Sequence, residues 1–393
     1  MKKVLIYRKE SDLSPTGGPN GYLYNLREGL GIVDNNNLVI DFLPAEVSPI
    51  SSADRKKIKK SLPSILVKTI KSIQHGKFVY SILHEDKTAS IDINDYDLIH
   101  FQDTCSMYPL RKQLKHYNGI MVLTSHSPQP LYQEFSENAT KLEKAILKKT
   151  YLELYKMDEY AFKRADYIVF PTQYSDEPYL NRWEAYRNFK KSIEGKYRYF
   201  LTGTVRPQIK RSRSEFRADY GIPDDAFVIS YVGRHSAIKG YDNLIKYCEK
   251  YCSDNVYVLV AGNQGDIKAP QNNHWIEIGW TNDPYSLMNA SDVFVLPNQE
   301  TYFDLVLLEV LSIGTIALVS NTGGNKYFNT NQYPGVFIYN DEMDFDNKIK
   351  GIMAMKNDDK KSLNESNKKA YEEQFTTEAF AANYVKLISS LIK

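Results

Sequence analysis

Two cationic side chains follow an apolar run in the second half of the sequence. In residues 232–245, VGRHSAIKGYDNLI, a predicted strand ends at Gly233, Arg234 and Lys239 lie in a short loop, and a helix is expected to open near Asp242. Loops at the carboxyl end of a parallel sheet border the ligand site, so two cations there form a pocket suited to a diphosphate. The alternative is that both cations lie on a solvated loop.

A second segment, residues 292–325, supplies complementary groups. A strand, a loop, a helix, a strand and a Gly-Gly turn follow in order, and the helix is expected to begin at Phe303 or Asp304. The amides of residues 303–305 then lack partners inside the helix and are suited to phosphate or hydroxyl oxygens. Glu309 falls in an apolar helical run, where an unpaired carboxylate is costly. Its expected partners are a ribose diol or, alternatively, a neighbouring backbone group or lysine.

The elements that must position these groups can be read from the alternation of apolar and polar runs. Strands are expected at residues 4–7, 38–43, 97–102, 121–126 and 167–172, and again at residues 227–233, 256–262, 275–279, 292–297, 315–320 and 335–339. Enough chain separates them for helical crossovers. A basic stretch at residues 210–217 interrupts the pattern, and the boundary between the two groups is expected near residues 203–215. The pattern predicts two α/β domains with parallel sheets in tandem. If the sheets face each other, a ligand lies in the cleft between them.

Composition excludes several classes of protein. The 393 residues are 42% hydrophobic and 25% charged, which rules out collagen-like, disordered and disulfide-scaffold chains. A net charge of +2 argues against a dedicated nucleic-acid binder. The three cysteines indicate a reducing compartment, and the apolar run that ends at Tyr7 is too short for a signal peptide. A cytoplasmic protein is therefore expected.

Several ordered segments resemble the retaining glycosyltransferases of family 4. The segments at residues 232–245 and 292–325 carry the main resemblance, and TGGPNGYLYNLREGL (16–30) is similar to the family's Gly-Gly loop. YDLIHFQDT, VLTSHS and RADYIVFPTQ resemble its other N-terminal segments. The resemblance implies a GT-B fold, in which two Rossmann-like domains face each other across a cleft. Residues 1–204 would bind the acceptor and residues 205–375 the nucleotide sugar, with helix 376–393 packed back on the first domain.

The resemblance also implies two groups of site residues. Those implied to act in catalysis are His126, Arg234, Lys239 and Glu300. Those implied to bind the donor are Gly17, Gly18, Gly279, Trp280, Thr281, Thr301, Phe303, Asp304, Leu305 and Glu309. In these roles Arg234 and Lys239 hold the diphosphate, Glu309 takes the ribose hydroxyls, and His126 lies at the sugar face.

The sequence departs from the family pattern around the first glutamate. Eight residues separate Glu300 from Glu309, where the family has seven, so strict alignment puts Thr301 at the position of the first glutamate. Asp304 stands where the family has glycine, which adds a carboxylate beside the donor sugar. Asn325 follows the Gly-Gly turn, where the family often has Pro-Glu. These departures leave the donor sugar open.

The reaction expected from the resemblance is transfer of a hexose from a nucleoside-diphosphate sugar, with UDP as the expected nucleotide. We expect no metal and no cofactor, because no Asp-x-Asp motif precedes a suitable strand and no Cys/His cluster has metal-binding spacing. Cys248 and Cys252 are interpreted as helix packing. The resemblance implies that anomeric configuration is retained by a same-face route, in which the leaving phosphate deprotonates the acceptor.

The sequence defines the acceptor less closely than it defines the donor. A glycan, lipid-linked, surface-polymer or protein acceptor is expected for polysaccharide biosynthesis, and a partner glycosyltransferase is also considered. The basic, partly apolar residues 53–72 favour attachment to an anionic membrane surface, where polyprenyl-linked acceptors reside, against the alternative of a solvated helix. Residues 141–149, KLEKAILKK, are interpreted as a solvated helix face. The protein would then be cytoplasmic and peripheral at the inner face of the cell membrane.

Two other functions remain open at this point. A catalytically silent GT-B subunit would stabilise or target a partner transferase, and the irregular glutamate spacing is consistent with that role. A sugar-nucleotide epimerase or a phosphorylase on the same fold is the third possibility.

Overall fold

A computed structural model describes residues 1–8, 13–15, 17–35, 37–43, 63–253, 255–265 and 267–392. Within these ranges the chain forms two parallel sheets of six strands, each covered by helices. The α/β architecture expected from the sequence is confirmed.

The first sheet belongs to the N-terminal half. Its strands are β1 (Lys2–Tyr7), β2 (Leu38–Phe42), β3 (Leu98–Phe101), β4 (Ile120–Leu123), β5 (Tyr167–Phe170) and β6 (Tyr197–Tyr199). They lie in the order β2-β1-β3-β4-β5-β6. All four residues of the central strand β3 are buried, as expected for a strand that helices cover on both faces.

The helices of this half are α1 (Gly18–Leu30), α2 (Ser64–His84), α3 (Thr104–Met107), α4 (Leu131–Asn138), α5 (Lys141–Ile146), α6 (Lys148–Glu153), α7 (Tyr155–Arg164), α8 (Glu177–Arg182) and α9 (Glu184–Ile193). The expected interruption at Pro63 marks the start of α2, because proline suits the position before a helix but not its interior. Residues 53–62 of the basic segment lie outside the described residues.

The second sheet belongs to the C-terminal half. Its strands are β7 (Phe227–Val232), β8 (Val256–Ala261), β9 (Trp275–Gly279), β10 (Val293–Leu296), β11 (Ile316–Ser320) and β12 (Val336–Tyr339), in the order β12-β11-β10-β7-β8-β9. The helices are α10 (Arg213–Asp219), α11 (Tyr241–Cys248), α12 (Pro284–Asn289), α13 (Leu305–Ile313), α14 (Glu342–Ala354), α15 (Asn357–Gln374) and α16 (Thr377–Leu391).

Two local features differ from the expectations. Strand β6 has three residues and ends at the half-exposed Tyr199, so no apolar run marked it in the sequence. Helix α13 begins at Leu305, and Asp304 precedes it in an extended conformation (φ −82°, ψ 119°). The amides without helical partners are therefore shifted towards Leu305 and Val306.

The end of the chain returns to the first domain. Helix α15 packs on α13, and the next helix, α16, packs on α1. Where the chain crosses between the domains, the Thr204 amide donates to the Phe375 carbonyl at 2.9 Å, and Thr204 pairs with Thr376. Contact between α1 and α16 is close enough that a Cβ at Gly29 would lie 2.1 Å from the Thr377 carbonyl oxygen.

Within the described parts of the chain, no helix combines the length and the apolar composition that crossing a bilayer requires.

Candidate active site

A cavity of about 390 Å³ lies between the two domains, where strands of both sheets end. The residues that line it are Pro15, Gly17, Gly18, Pro19, Tyr22, His126, Pro128, Pro171, Thr202, Tyr231, Val232, Gly233, Arg234, Lys239, Leu296, Asn298, Tyr302, Phe303, Asp304, Leu305, Val306 and Glu309. Most of the site residues named from the sequence are therefore brought together here.

The loop after β7 carries the two cations. Arg234 is exposed to the cavity and has no ion-pair partner within the described residues. The Tyr231 hydroxyl donates to the Arg234 carbonyl at 2.9 Å, which fixes the backbone at the start of the loop. A guanidinium left free in this way can make two parallel hydrogen bonds to a phosphate.

The end of the same loop is held against the loop after β10. Gly240 has φ +68°, and a Cβ there would lie 1.7 Å from the Pro297 carbonyl oxygen. The Gln299 amide donates to the Ile238 carbonyl at 3.2 Å. Glycine is therefore required at position 240 for Lys239 to reach the cavity from this loop.

Asp304 is the counter-ion of Lys239. Lys239 Nζ lies 2.5 Å from Asp304 Oδ1, and the other carboxylate oxygen accepts from Thr301 Oγ1 at 2.9 Å and from Asn298 Nδ2. The Ser320 hydroxyl donates to the Asn298 carbonyl at 2.7 Å and so holds Asn298 in place. A carboxylate that accepts three hydrogen bonds is firmly oriented, and its negative charge offsets the positive charge of Lys239.

The first turn of α13 supplies backbone donors to the same space. Leu305 and Val306 line the cavity, and their amides have no acceptor within the helix. The Asp304 side chain bonds to Lys239, Asn298 and Thr301 rather than capping the helix. The positive end of the helix dipole therefore faces the cavity uncapped, which favours an anion.

Glu309 lies on the cavity wall one turn into α13. Tyr285 donates a long hydrogen bond of 3.4 Å to Glu309 Oε1. Burial raises the pKa of the Glu309 carboxyl to about 7, and the bond from Tyr285 only partly opposes this. The group is poorly satisfied and would gain from a ligand that donates hydroxyl hydrogen bonds.

His126 reaches the cavity from the first domain, just after β4. Its Nε2 lies 2.9 Å from Gln102 Oε1, and the Gln102 amide nitrogen donates to the His100 carbonyl, so Nε2 carries the proton and Nδ1 is left as an acceptor. Burial, assisted by the nearby positive charge of Arg8, lowers the pKa of His126 well below its usual value. The ring is therefore neutral, and it packs 4.4 Å from the Tyr22 ring.

The glycine loop faces the cavity from the opposite side. Gly17 has φ +88°, and a Cβ at either Gly17 or Gly18 would meet no atom within 4 Å. Glycine is needed at position 17 for its backbone conformation. The space around both residues lies open to a ligand.

The remaining candidates are placed elsewhere. Glu300 is buried against the first domain: its carboxylate accepts from Asn181 Nδ2 at 3.2 Å and lies 3.8 Å from Arg182 Nε. Thr301 is fully buried and reaches the cavity only through Asp304. The three residues expected at the base, Gly279, Trp280 and Thr281, are absent from the described cavity wall.

Sequence reasoning missed three contributors to the cavity. Asn298 orients Asp304, Tyr231 fixes the Arg234 loop, and Tyr302 packs its ring 6.2 Å from that of His126. The position of Asn298 directly after β10 was a usable signal, since strand ends border the site. Tyr231 and Tyr302 gave none, because they look like ordinary core aromatics.

The two-domain arrangement is similar to that of solved structures over the full length of the chain. A sucrose-phosphate synthase from Thermosynechococcus elongatus has a TM-score of 0.63 at 19% identity, covering 100% of this chain and 99% of that one. Alr3699/HepE from Anabaena in complex with UDP has a TM-score of 0.61 at 14% identity, covering 99% and 100%. The chain has the GT-B fold.

A sequence match to a family model lies in the second domain of this GT-B chain. Residues 212–372 match the family model described as Glycosyl transferases group 1. An Escherichia coli UDP-Gal:alpha-D-GlcNAc-diphosphoundecaprenol alpha-1,3-galactosyltransferase is 30% identical over 156 residues, which are 34% of this chain and 40% of that enzyme. The chain spans less than half the length of the curated relatives it matches. The residues matched by the family model include Arg234, Lys239 and Glu309.

Proposed function

We propose that this protein is a glycosyltransferase that transfers a hexose from a UDP-sugar to a glycan, lipid-linked, surface-polymer or protein acceptor. The observation that carries the proposal is the cavity in which the free Arg234 guanidinium, Lys239 and the uncapped start of α13 converge. These groups are suited to a diphosphate, and Glu309 on the same wall is suited to the hydroxyls of a ribose.

The comparisons support the choice of donor. The E. coli relative is named for UDP-Gal, and the similar Anabaena structure holds UDP. The family model matched by the second domain describes glycosyl transferases. A uridine nucleotide carrying a hexose is therefore the donor we assign.

In the proposed reaction, the bond between the anomeric carbon and the β-phosphate oxygen breaks. The acceptor oxygen bonds to the anomeric carbon, and its proton passes to the departing diphosphate. Arg234, Lys239 and the amides of Leu305 and Val306 would stabilise the negative charge that develops on the leaving group. His126, neutral and with Nδ1 free to accept, would hydrogen-bond a sugar hydroxyl.

Retention of configuration and metal independence belong to the same proposal. The carboxylates on the described cavity wall are Asp304, which is paired with Lys239, and Glu309 on α13. This arrangement favours attack on the face from which the phosphate leaves over a route through a carboxylate nucleophile. Two protein cations and the helix start would supply the positive charge that a divalent ion provides elsewhere.

Calorimetric titration with UDP tests the donor site. We expect wild-type protein and the control Lys268→Ala, which removes an exposed cation of the same domain, to bind UDP equally. Arg234→Ala should weaken binding at least about tenfold, because a charge-assisted hydrogen-bond donor is lost. Failure of the wild-type protein to bind UDP or any other nucleoside diphosphate would refute the proposal.

Product analysis tests the chemistry. Slow release of UDP from UDP-glucose or UDP-galactose without acceptor, lost in Arg234→Ala, is expected. In the presence of an acceptor, the anomeric configuration can be read by NMR. Activity that disappears with a chelator and returns with magnesium would contradict metal independence.

Two observations favour a second candidate, the catalytically silent GT-B subunit. Asp304 neutralises Lys239, and Glu300 contacts the first domain rather than the cavity. A silent subunit would bind UDP in the titration but release none from UDP-sugars, alone or with acceptor, and so the two experiments separate the candidates.

A further inference from the structure

Exposed aliphatic side chains are concentrated on one helical region of the first domain. On α2, Leu66, Ile70 and Ile73 follow the spacing of one helix face and are 43–53% exposed. On α5, Leu142 and Ile146 are one turn apart and 71% and 72% exposed. Leu152 of α6 is 66% exposed. Clustering of this kind is unusual for a surface in contact with water alone.

The same three helices carry unpaired positive charge. Their seven lysines are exposed and form no ion pair within the described residues: Lys68, Lys71, Lys77, Lys141, Lys144, Lys148 and Lys149. The two glutamates of these helices are engaged, since Glu143 is buried and Glu153 pairs with Lys156. Other surface lysines of the chain, such as Lys246 and Lys250, do find carboxylates. The charge on these helices is therefore available to a partner.

A buried polar contact joins the helices into one unit. Glu143 of α5 accepts from Ser72 Oγ at 3.0 Å and lies 2.7 Å from His75 Nδ1, both on α2. The Tyr151 hydroxyl of α6 donates to the same carboxylate. A Cβ at Gly76 would lie 3.1 Å from Leu147 Cδ1, so the helices are in close contact. The exposed residues therefore lie on three helices that are fixed to one another. We call α2, α5 and α6 together the platform.

The platform is connected to the cavity through α4. Pro128 lines the cavity, and α4 begins shortly after it at Leu131. Farther along α4, the Phe135 ring packs 5.7 Å from that of Phe78 on α2. Helix α4 therefore links these helices to the wall of the cavity.

We propose that helices α2, α5 and α6 form a docking surface for an anionic phospholipid bilayer. The exposed leucines and isoleucines enter the headgroup boundary, and the lysines lie against the lipid phosphates. Bulky aliphatic side chains together with uncompensated lysines match both components of such a surface. This inference does not depend on the proposed transfer reaction, and it reinterprets residues 141–149, which the sequence suggested were simply solvated.

Vesicle sedimentation with the full-length protein tests the surface. The probes are vesicles of pure phosphatidylcholine and vesicles of phosphatidylcholine mixed with phosphatidylglycerol. We expect binding to the mixed vesicles alone, with release at high salt. Leu142→Ser/Ile146→Ser and Lys144→Glu/Lys148→Glu should each weaken partitioning about tenfold or more. All four positions are exposed, so circular dichroism should show both variants folded.

Matched controls make the surface assignment specific. Met343→Ser removes an equally exposed apolar side chain from the second domain, and Lys268→Glu reverses a charge there; neither should change partitioning. No binding to the mixed vesicles, equal binding to both vesicle types, or equal weakening by the controls would each overturn the proposal. Concentration-dependent dimers lost in Leu142→Ser/Ile146→Ser, without vesicle binding, would assign the face to a second copy of the chain instead.

Discussion

Lys239 is paired with a counter-ion of the protein itself, Asp304. Asp304 holds Lys239 Nζ at 2.5 Å and is itself held by Thr301 and Asn298. A diphosphate entering the cavity must therefore share Lys239 with this carboxylate or displace it. Arg234 has no such competitor among the described residues, so it is the first cation available to the ligand.

Asp304→Asn should strengthen UDP binding. The amide keeps the shape of the side chain and removes the negative charge, so Lys239 becomes free for the diphosphate. The gain should be about 1 kcal/mol, roughly fivefold in Kd by calorimetry. Binding weakened by this substitution would show that Asp304 contacts the ligand directly. Asp358→Asn, in the exposed first turn of α15, is the control.

Glu309 should make UDP binding depend on pH. Hydroxyl donors favour the carboxylate, whose pKa burial raises to about 7, so affinity should rise as the pH increases from about 6 to 8. Glu309→Gln should abolish this rise. Calorimetry at several pH values measures both, and an unchanged rise in Glu309→Gln would contradict the assignment.

The raised pKa of Glu309 also predicts how the free energy of unfolding depends on pH. A carboxyl whose pKa is higher in the folded than in the unfolded state binds more protons when folded, so its ionisation destabilises the fold as the pH rises from about 4.3 to 7. Glu309→Gln should therefore be more stable than the wild type at pH 8 by about 3 kcal/mol, and much less so at pH 5. Urea unfolding at the two pH values measures the difference.

At the scale of loops and helices, glycines allow the two ligand-binding loops to touch. A Cβ at Gly240 would collide with the Pro297 carbonyl, and Gly221 has a similar φ of +65° with open space around it. Gly221→Ala should cost about 1 kcal/mol of unfolding free energy, from the left-handed backbone alone. Gly240→Ala should cost clearly more and should also weaken UDP binding. Equal losses, measured by urea unfolding and calorimetry, would show that the contact with Pro297 is not needed.

Elements buried on both sides were predictable from the sequence because their apolar runs are continuous. Strands such as β7 and β10 follow from these runs alone. Strand β6 was not predicted, because a three-residue edge strand carries little hydrophobic signal. The start of α13 was predicted one or two residues too early. In the sequence, Asp304 has the pattern of an acidic residue in the first turn of a helix. Its pairing with Lys239 could not be predicted, because it connects residues far apart in the sequence.

At the scale of the whole molecule, the last helix is tied to the first sheet through a buried histidine. His100 lies 2.8 Å from Thr124 Oγ1 on one side and 3.2 Å from the Tyr384 hydroxyl of α16 on the other. Burial lowers the pKa of His100 to about 3. Protonating it would place an uncompensated positive charge in this buried contact between β3 and α16.

The His100 contact predicts acid sensitivity. The unfolded state binds a proton below about pH 6.5 and the folded state only near 3, so this histidine makes stability fall as the pH drops through that window. Between pH 7 and 5 it should remove about 2 kcal/mol of unfolding free energy. His100→Gln should lose that part of the pH dependence in urea unfolding, whatever its stability at pH 7. An unchanged dependence would assign the acid sensitivity to other groups.

Contacts between the domains could not be read from the sequence. The order of the strands predicted two facing α/β domains. The convergence of Arg234, Lys239 and Glu309 was predicted because each follows a strand, and the carboxyl ends of parallel strands lie at one edge of the sheet. The contact of Glu300 with Asn181 and Arg182 did not, because it joins surfaces from different domains. Its position depends on how the domains dock, which no local pattern encodes.

The two interdomain crossings are hydrogen-bonded to each other at Thr204 and Phe375. Because the two crossings are joined at one place, the domains can rotate about that place at low cost. Sliding of one domain past the other would stretch both crossings and is therefore resisted. The cavity between the domains would therefore open by a tilt of one domain relative to the other. The tilt widens most the side of the cavity that is farthest from the crossings, and bulky molecules would enter and leave on that side. A Thr204→Cys/Thr376→Cys disulfide at this pivot should leave turnover unchanged, and a large loss on oxidation would point to sliding instead.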